Sequence, residues 1–276
     1  MPHNLRVVST QPPNPSGLTP DRGRLAATRF LDVRCVDVVG STNTEMLAEA
    51  RLGAPEGAVL VADAQTAGRG RLDRTWSAEP GTALLMSVLL RPQLSPERLA
   101  MVLMAVGLAA ADAVEAAAGV RPGLKWPNDL VAADDRKLAG ILAESVSGGA
   151  TAIVAGIGIN VAAGAYPAEL SAQAVSCEEM AGRPVDRAVL LTEFLVALEG
   201  RYQTLLRTGG SEATVDAYRK SSATLGRRVR VELPAGTIEG LASHLAWNGQ
   251  LVVLTDDGAH QPVSAGDIVH LRPTGN

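Results

Sequence analysis

The chain has 276 residues, of which 46% are hydrophobic and 3% aromatic, and its formal net charge is −4. This length and apolar content suffice for one large domain and a second, small one, with a core built mostly from Ala, Val and Leu. The mildly acidic balance disfavours a protein whose whole surface binds nucleic acid.

The cysteines and histidines indicate neither a disulfide framework nor a metal centre. Cys35 and Cys177 lie far apart, and the histidines show no metal-ligand spacing. The first twenty residues are polar and proline-rich and lack the apolar segment of a signal peptide. The longest apolar run, residues 99–118, contains Asp112 and Glu115 and predicts a buried helix rather than a membrane span. We therefore expect a soluble, cytoplasmic protein.

Residues 1–28 are rich in proline and have little apolar pattern, which predicts a flexible leader. The leader is too short and too interrupted by proline for a DNA-reading helix-turn-helix domain. A β-rich segment follows and ends at Gly40, and Ser41, Thr42 and Asn43 then precede a helical pattern. These residue types are typical helix N-caps, and Glu45 stands three residues after Thr42 as in a capping box. The same hydroxyl and amide groups also suit ligand binding beside free backbone N–H groups.

A basic loop, Gln65-Thr66-Ala67-Gly68-Arg69-Gly70-Arg71, follows the apolar segment 58–62, which we interpret as a buried strand. Glycines allow close approach of the backbone to a ligand, and arginines match carboxylates and phosphates. The loop therefore suits an anionic ligand that is gripped and released. Alternatively it is only a solvated turn, or an RNA-binding segment. Trp76, just after the loop, is either a core anchor or a flat surface for a ligand ring.

A second polar stretch, Lys125-Trp126-Pro127-Asn128-Asp129, precedes a short strand and a turn at residues 132–136. We interpret this region as a hairpin that returns Lys137 to the side holding Asp129. Near buried neighbours, Lys137 would supply a positive point charge for an anion.

The segment Gly156-Ile157-Gly158-Ile159-Asn160 is not a dinucleotide-binding fingerprint, because Val161 replaces the third glycine and the glycines lie late in a strand. The sequence also has no GxxxxGK[ST] phosphate loop. Any nucleotide chemistry must use another design.

The remaining chain reads as packing elements and a small β domain. Residues 186–206 predict an amphipathic helix and residues 212–221 another. After residue 225, short alternating strands and tight turns at Asn248-Gly249 and Asp257-Gly258 predict a small β-barrel. We expect three regions: a flexible leader (1–28), a large domain that carries the polar motifs (29–222) and a C-terminal barrel (223–273).

Taken in order, five motifs resemble the biotin protein ligases: Gly40-Ser41-Thr42-Asn43, the basic loop with Trp76, Lys125 to Asp129, Lys137-Leu138-Ala139-Gly140-Ile141-Leu142, and Gly156 to Asn160. The resemblance is strong over residues 40–160 and implies an α+β fold. The expected fold is a mixed sheet with helices, like class II aminoacyl-tRNA synthetases, followed by an SH3-like barrel. The implied member is a monofunctional biotin–[acetyl-CoA-carboxylase] ligase without an N-terminal DNA-binding domain.

The resemblance also implies the chemistry and its residues. Biotin and ATP·Mg²⁺ give biotinyl-5′-AMP, an acyl-adenylate, which then acylates one lysine of a biotin carboxyl carrier protein. The implied catalytic residues are Arg69, Arg71 and Lys137. The implied biotin-binding residues are Ser41, Thr42, Asn43, Gln65, Arg69, Gly70, Arg71, Lys137 and Gly140. The implied ATP-binding residues are Arg71, Trp76, Lys125, Asn128, Asp129 and Asn160, and Asp129 is the candidate Mg²⁺ ligand.

Two rivals stay open at this point. Lipoate–protein ligases share the fold, although the intact Gly-Arg-Gly-Arg and Lys-Trp-Pro-Asn-Asp runs favour biotin. A non-catalytic RNA-binding protein would use the loop and the barrel, but the acidic balance and few aromatics disfavour it. We expect a carrier protein or carrier domain of an acyl-CoA carboxylase as partner, no DNA or membrane partner, and a monomer or weak homodimer.

Overall fold

The computed structural model describes residues 18–146, 151–234, 236–264 and 266–271. The N-terminal part contains, in order, α1 (Arg22–Leu25), β1 (Val33–Val39), α2 (Thr42–Arg51), β2 (Val59–Gln65), β3 (Ala83–Leu90), α3 (Ala100–Ala118), β4 (Gly123–Lys125), β5 (Asp129–Val131), β6 (Lys137–Val146), β7 (Ala152–Asn160), α4 (Cys177–Ala181), α5 (Arg187–Leu206) and α6 (Gly210–Ser221). The C-terminal part contains β8 (Arg228–Leu233), β9 (Gly236–Leu245), β10 (Leu251–Leu254), β11 (His260–Val263) and β12 (Asp267–His270).

The first seven strands form one mixed sheet in the order β1-β2-β3-β7-β6-β5-β4. Strands β1 and β2 are parallel, and the other neighbouring pairs are antiparallel. In the register of β3 and β7, Ser87 lies opposite Gly156. In the register of β6 and β7, Gly140 lies opposite Gly158. Small residues therefore meet in the middle of the sheet, which leaves room above it.

Both faces of the sheet are covered. Every residue of β3 and of β7 is buried, as expected for continuous apolar runs in central strands. Helices α3 and α5 pack on one face in the main core. Helix α2 packs on the other face through Met46, Leu47 and Ala50. Burying a side chain such as Met46 contributes about 1.5–3 kcal/mol, so the apolar face of α2 anchors the N-terminal turn that carries the polar motif.

Helix α3 is the core helix that the sequence predicted. By length and composition, the segment Pro96–Ala118 is the one candidate for a membrane span among the described residues, but 67% of its apolar window is buried inside the protein. A short turn precedes the helix. Pro96–Arg98 form a short 3₁₀ turn, the side chain of Ser95 makes no capping hydrogen bond, and the α-helix begins at Ala100.

The predicted flexible leader needs a correction at its boundary. Residues 1–17 lie outside the described residues, but residues 18–28 include α1, which Asp21 caps by accepting from two backbone N–H groups. Leu18 and Leu25 are each only 2% exposed and belong to the main core. The packed part of the chain thus begins before residue 29, because these two leucines supply an apolar anchor that proline content alone concealed.

The C-terminal domain, predicted as a small barrel, is a five-stranded antiparallel sheet in the order β11-β10-β9-β8-β12. Several polar contacts join it to the N-terminal domain, and two of them lie near the hairpin of β5 and β6 and the preceding Trp126. The Asp135 carboxylate accepts two bonds from Arg227, of 2.6 and 2.7 Å, and lies 3.1 Å from His270 Nδ1. The Trp126 indole N–H donates to the carbonyl of Gly249 over 3.1 Å. These contacts fix the second domain beside the β4–β6 region.

Candidate active site

A cleft opens above the small residues of β6 and β7. Residues of all five predicted motifs meet there, which no spacing along the chain could show. The lining residues are Ser41, Thr42, Asn43, Gln65, Arg69, Gly70, Arg71, Trp76, Met86, Asn128, Lys137, Gly140, Ile141, Leu142, Gly156, Ile157 and Gly158.

One end of the cleft, which we call the ring end, is the first turn of α2 with the end of β2. Ser41 is the N-cap, and its hydroxyl accepts from the N–H of Thr44. The predicted capping box on Thr42 is therefore wrong, because the N-cap lies one residue earlier and Thr44, not Glu45, stands three residues after it. The backbone N–H of Thr42 instead donates to Gln65 Oε1 over 2.7 Å. This bond fixes the side chain of Gln65 and leaves its Nε2 hydrogens without a protein acceptor in the described part of the chain.

Ser87 is a functional candidate that the sequence analysis missed. Its hydroxyl is fully buried in β3 and lies 2.8 Å from Thr42 Oγ1 and 2.7 Å from Asn43 Oδ1. A Cβ on Gly156 would lie 2.2 Å from Asn43 Oδ1, so only glycine leaves room for that amide. The signal was a lone serine inside an apolar strand, because a buried hydroxyl requires a partner.

The basic loop is folded tightly at the opposite end, which we call the phosphate end. The N–H of Trp76 donates to Gly68 O over 3.0 Å, and the N–H of Gly70 donates to Arg74 O over 2.7 Å. A Cβ on Gly68 would lie 2.3 Å from the carbonyl oxygen of Trp76. The loop therefore closes on itself only because glycine stands at this position.

The two arginines of the loop, and Arg74 just after it, each reach a different partner. Arg69 Nη2 donates to Glu144 Oε1 over 2.8 Å, and Arg71 Nη1 donates to Asn128 Oδ1 over 2.8 Å. Arg74 pairs with Asp267 at the start of β12. The loop is consequently folded against the seven-stranded sheet and the C-terminal domain, which disfavours its alternative interpretation as a free solvated turn.

The predicted return of Lys137 to Asp129 is confirmed. The Lys137 ammonium lies 2.8 Å from Asp129 Oδ1 and 5.7 Å from the centroid of the Trp76 ring. Of the three cations that line the cleft, Arg69 and Lys137 are paired with carboxylates, and Arg71 has only neutral oxygen partners among the described residues. The phosphate end thus holds more positive than negative charge.

Trp76 lines the cleft beside Lys137. Its ring lies directly on the glycines of β6 and β7, since a Cβ on Gly158 would lie 2.5 Å from the indole and one on Gly140 would lie 3.0 Å from it. The indole N–H is buried and has no hydrogen-bond partner within the described ranges. A buried donor without a partner is costly, so this N–H is a candidate contact for a ligand.

Three predicted ATP-binding residues do not line the cleft: Lys125, Asp129 and Asn160. Asp129 contacts the cleft only indirectly, because its carboxylate pairs with the ammonium group of Lys137. Asn160 is 3% exposed, and its Nδ2 donates to Val175 O over 3.1 Å and to Lys137 O over 3.4 Å, which holds the backbone of Lys137. Burial lowers the pKa of Lys125, although Asp129 and Asp135 oppose that shift.

Within the described part of the chain, no group of three or more His, Cys, Asp or Glu residues could hold a metal ion. Mg²⁺ usually keeps several waters and binds one or two carboxylates together with substrate phosphates. Asp129, beside Lys137, fits that limited protein share.

The arrangement defines a class of ligand-activating protein: a preformed polar pocket joined to a cationic phosphate end on a mixed sheet. The family model described as "Biotin/lipoate A/B protein ligase family" matches residues 35–160, and "Biotin protein ligase C terminal domain" matches residues 224–271. The chain is 40% identical over 250 residues to the biotin–[acetyl-CoA-carboxylase] ligase of Mycobacterium tuberculosis, a match that covers 88% of this chain and 90% of that protein.

Other relatives agree. The chain is 32% identical over 233 residues to the bifunctional ligase/repressor BirA of Bacillus subtilis, which covers 83% of this chain and 71% of that protein. The structure is similar to that of the biotin protein ligase from Aquifex aeolicus in complex with biotin and ATP, with a TM-score of 0.76, 28% identity, and coverage of 88% of this chain and 100% of that one. The chain belongs to the biotin protein ligase family.

Proposed function

We propose that this protein joins biotin to a lysine of a biotin carboxyl carrier protein in two steps. A carboxylate oxygen of biotin attacks the α-phosphorus of ATP, which gives biotinyl-5′-AMP and releases pyrophosphate. The amine of the carrier lysine then attacks the carbonyl carbon of this anhydride, forms the amide and releases AMP and a proton. We place the reaction in the cytoplasm, in keeping with two cysteines that are both free thiols.

The observation that supports this proposal most strongly is the pattern of hydrogen-bond donors and acceptors at the ring end. Because Gln65 Oε1 is occupied by the N–H of Thr42, its Nε2 is left to donate to a ligand carbonyl. Because both Nδ2 hydrogens of Asn43 donate to Leu142 O and Glu144 Oε2, its Oδ1 faces the Ser87 hydroxyl, and this oxygen keeps a second lone pair that can accept from a ligand. A cyclic urea such as that of biotin carries one carbonyl and two N–H groups and matches this pattern, whereas lipoate, with a dithiolane ring, does not.

The cations suit the first step. A carboxylate and a triphosphate repel each other, and fixed cations offset that repulsion and stabilise the charge that develops at the α-phosphate. We assign this role to Arg71 and Lys137, and the grip on the carboxylate to Arg69, because all three line the cleft. Asp129 is the candidate protein carboxylate for the Mg²⁺ of the ATP·Mg²⁺ substrate, which would neutralise phosphate charge.

The loop also protects the product of the first step. An acyl-adenylate is hydrolysed when water reaches it, so a loop that orders over it retains it for the carrier. Arg69 and Arg71 stand on that loop with their side chains at the cleft.

Pyrophosphate release tests the proposal. Wild-type protein is given ATP·Mg²⁺ with biotin or with lipoate, with and without a biotin carrier domain. We expect release with biotin and a biotinylated carrier lysine. Release with lipoate alone would move the protein to the lipoate ligases. Folded protein that releases pyrophosphate with neither acid would refute the enzyme activity.

A further inference from the structure

Glu144 lies on β6, seven residues beyond Lys137, and the sequence analysis gave it no role. Its side chain is 25% exposed and does not line the cleft. Each carboxylate oxygen holds one donor: Oε2 accepts from Asn43 Nδ2 and Oε1 accepts from Arg69 Nη2, both over 2.8 Å. One side chain therefore contacts both the ring end and the phosphate end.

The first contact determines which way the amide of Asn43 faces. A carboxylate only accepts hydrogen bonds, so it must meet the NH₂ group of the amide. The second hydrogen of that group donates to Leu142 O over 3.2 Å. The amide oxygen must then point to Ser87, 2.7 Å away, in the space that Gly156 leaves. Without Glu144, the amide is free to flip and to present donors where the ring end needs an acceptor.

The second contact holds Arg69 by one nitrogen. The other guanidinium N–H groups of Arg69 have no acceptor among the residues described, so they remain for a ligand anion. The Arg69 side chain is 46% exposed, and an ion pair at such a surface contributes little stability. The contact with Glu144 instead positions the Arg69 side chain, because an arginine held at one nitrogen loses less conformational freedom when its other nitrogens bind a ligand.

We propose that Glu144 is a positioning residue that couples recognition of the ring to retention of the adenylate. It fixes the acceptor of Asn43 and aims Arg69 across the cleft, so the ring end and the loop share one anchor. This inference rests on the proposed function, for which it supplies the connection between the two halves of the site.

The test is Glu144→Gln. A neutral amide offers one acceptor and one NH₂ group, so it satisfies either Asn43 or Arg69 and turns a donor toward the other. We expect the KM for biotin to rise about tenfold and biotinyl-5′-AMP to leave the enzyme about tenfold faster in gel-filtration chase experiments, while the KM for ATP stays within about twofold.

The matched control is Glu49→Gln. Glu49 lies in the last part of α2 and forms a similar charge-assisted pair with Arg34 of β1, which the substitution removes. It is expected to leave both quantities unchanged. Glu144→Asp keeps the charge but is too short to reach both donors, and it is expected to release the adenylate as Glu144→Gln does. Melting temperatures of the three variants establish that they are folded.

Combined variants test the two contacts separately. Asn43→Asp with Glu144→Gln exchanges donor and acceptor across the first contact, and we expect a lower KM for biotin than in Asn43→Asp alone. Adding Arg69→Ala to Glu144→Gln should raise adenylate release no further than Arg69→Ala does.

A KM for biotin and a release rate in Glu144→Gln within twofold of those in Glu49→Gln would overturn the coupling role. Wild-type protein that fails to release pyrophosphate with biotin would instead refute the proposed function, and the two failures are therefore distinguishable.

Discussion

The two ends of the cleft are built differently. At the ring end, Ser41, Thr42, Asn43 and Ser87 are each at most 4% exposed, and Ser87 joins Thr42 and Asn43 by hydrogen bonds. At the phosphate end, the Arg69 and Lys137 side chains are 46% and 38% exposed and pair with carboxylates. The ring end is rigid before any ligand arrives, whereas the phosphate end must exchange partners when an anion binds. The contrast separates recognition, which requires fixed polarity, from catalysis and retention, which require movable charge.

The largest expected effect is at the phosphate end. Lys137→Gln removes a cation beside the reacting groups, so kcat/KM for biotin-dependent pyrophosphate release is expected to fall about 100- to 1,000-fold, with biotin binding reduced far less. Lys125→Gln is the control, because Lys125 lies outside the cleft. Equal losses in both variants would contradict the division between the two ends.

Retention of the intermediate should depend on the loop. Arg69→Ala loses charge-assisted hydrogen bonds worth about 1.5–3 kcal/mol, and at about 1.4 kcal/mol per tenfold this predicts about 10- to 100-fold faster loss of biotinyl-5′-AMP. Released adenylate is measured by filtration and by diffuse labelling of bystander proteins. A variant that kept its adenylate as long as wild type would rule out the protective role of the loop.

Two glycines of β7 allow the ends to be disturbed separately. Gly156→Ala places a Cβ 2.2 Å from Asn43 Oδ1, whereas Gly158→Ala places one 2.5 Å from the Trp76 indole. Overpacking costs about 1–3 kcal/mol, so we expect about 5- to 150-fold changes. Gly156→Ala should raise the KM for biotin and Gly158→Ala the KM for ATP. The assignment of Trp76 to the nucleotide fails if Gly158→Ala changes only the biotin KM.

Ser87→Ala tests the rigidity of the ring end with a smaller change. It leaves Asn43 Oδ1 and Thr42 Oγ1 without their shared partner, at about 1–3 kcal/mol for an unsatisfied buried group. We expect a KM for biotin raised about tenfold and kcat within about twofold. The exposed Ser145, replaced by Ala, serves as the control. A fall in kcat without a change in KM would place Ser87 in the chemistry rather than in recognition.

The smallest expected effect concerns the contact between the two domains, which lies outside the cleft. The hydrogen bonds from Arg227 hold the pKa of Asp135 below its ordinary value, with a further contribution from His270. A depressed carboxyl pKa gives stability that is present above the unfolded value of 3.8 and is lost as pH falls through the folded value. Asn tolerates the left-handed backbone conformation at this position. Asp135→Asn should have a lower melting temperature than wild type at pH 5, but its melting temperature should fall less between pH 5 and pH 3. Equal losses in both proteins would exclude this ion pair from the acid sensitivity.

Much of the architecture follows from local pattern. The apolar runs of β3 and β7, the alanine-rich α3 and the amphipathic α5 are set by periodicity and burial, and the structure confirms them. The leader was misjudged because Leu18 and Leu25 are too few to form a pattern, although the core of α5 gives them a place to pack.

By itself, the sequence determined which chemical groups this protein carries: the hydroxyl and amide cluster before α2, the loop of glycine and arginine, and the lysine that a turn returns to Asp129. Only the tertiary structure decided which of these groups meet. It placed Asn160 behind the cleft, and it joined Asn43, Ser87 and Glu144, which stand on three separate elements, into one hydrogen-bonded network. The physical reason is that strand register and side-chain polarity act across long sequence separations, where local pattern carries no information about distance.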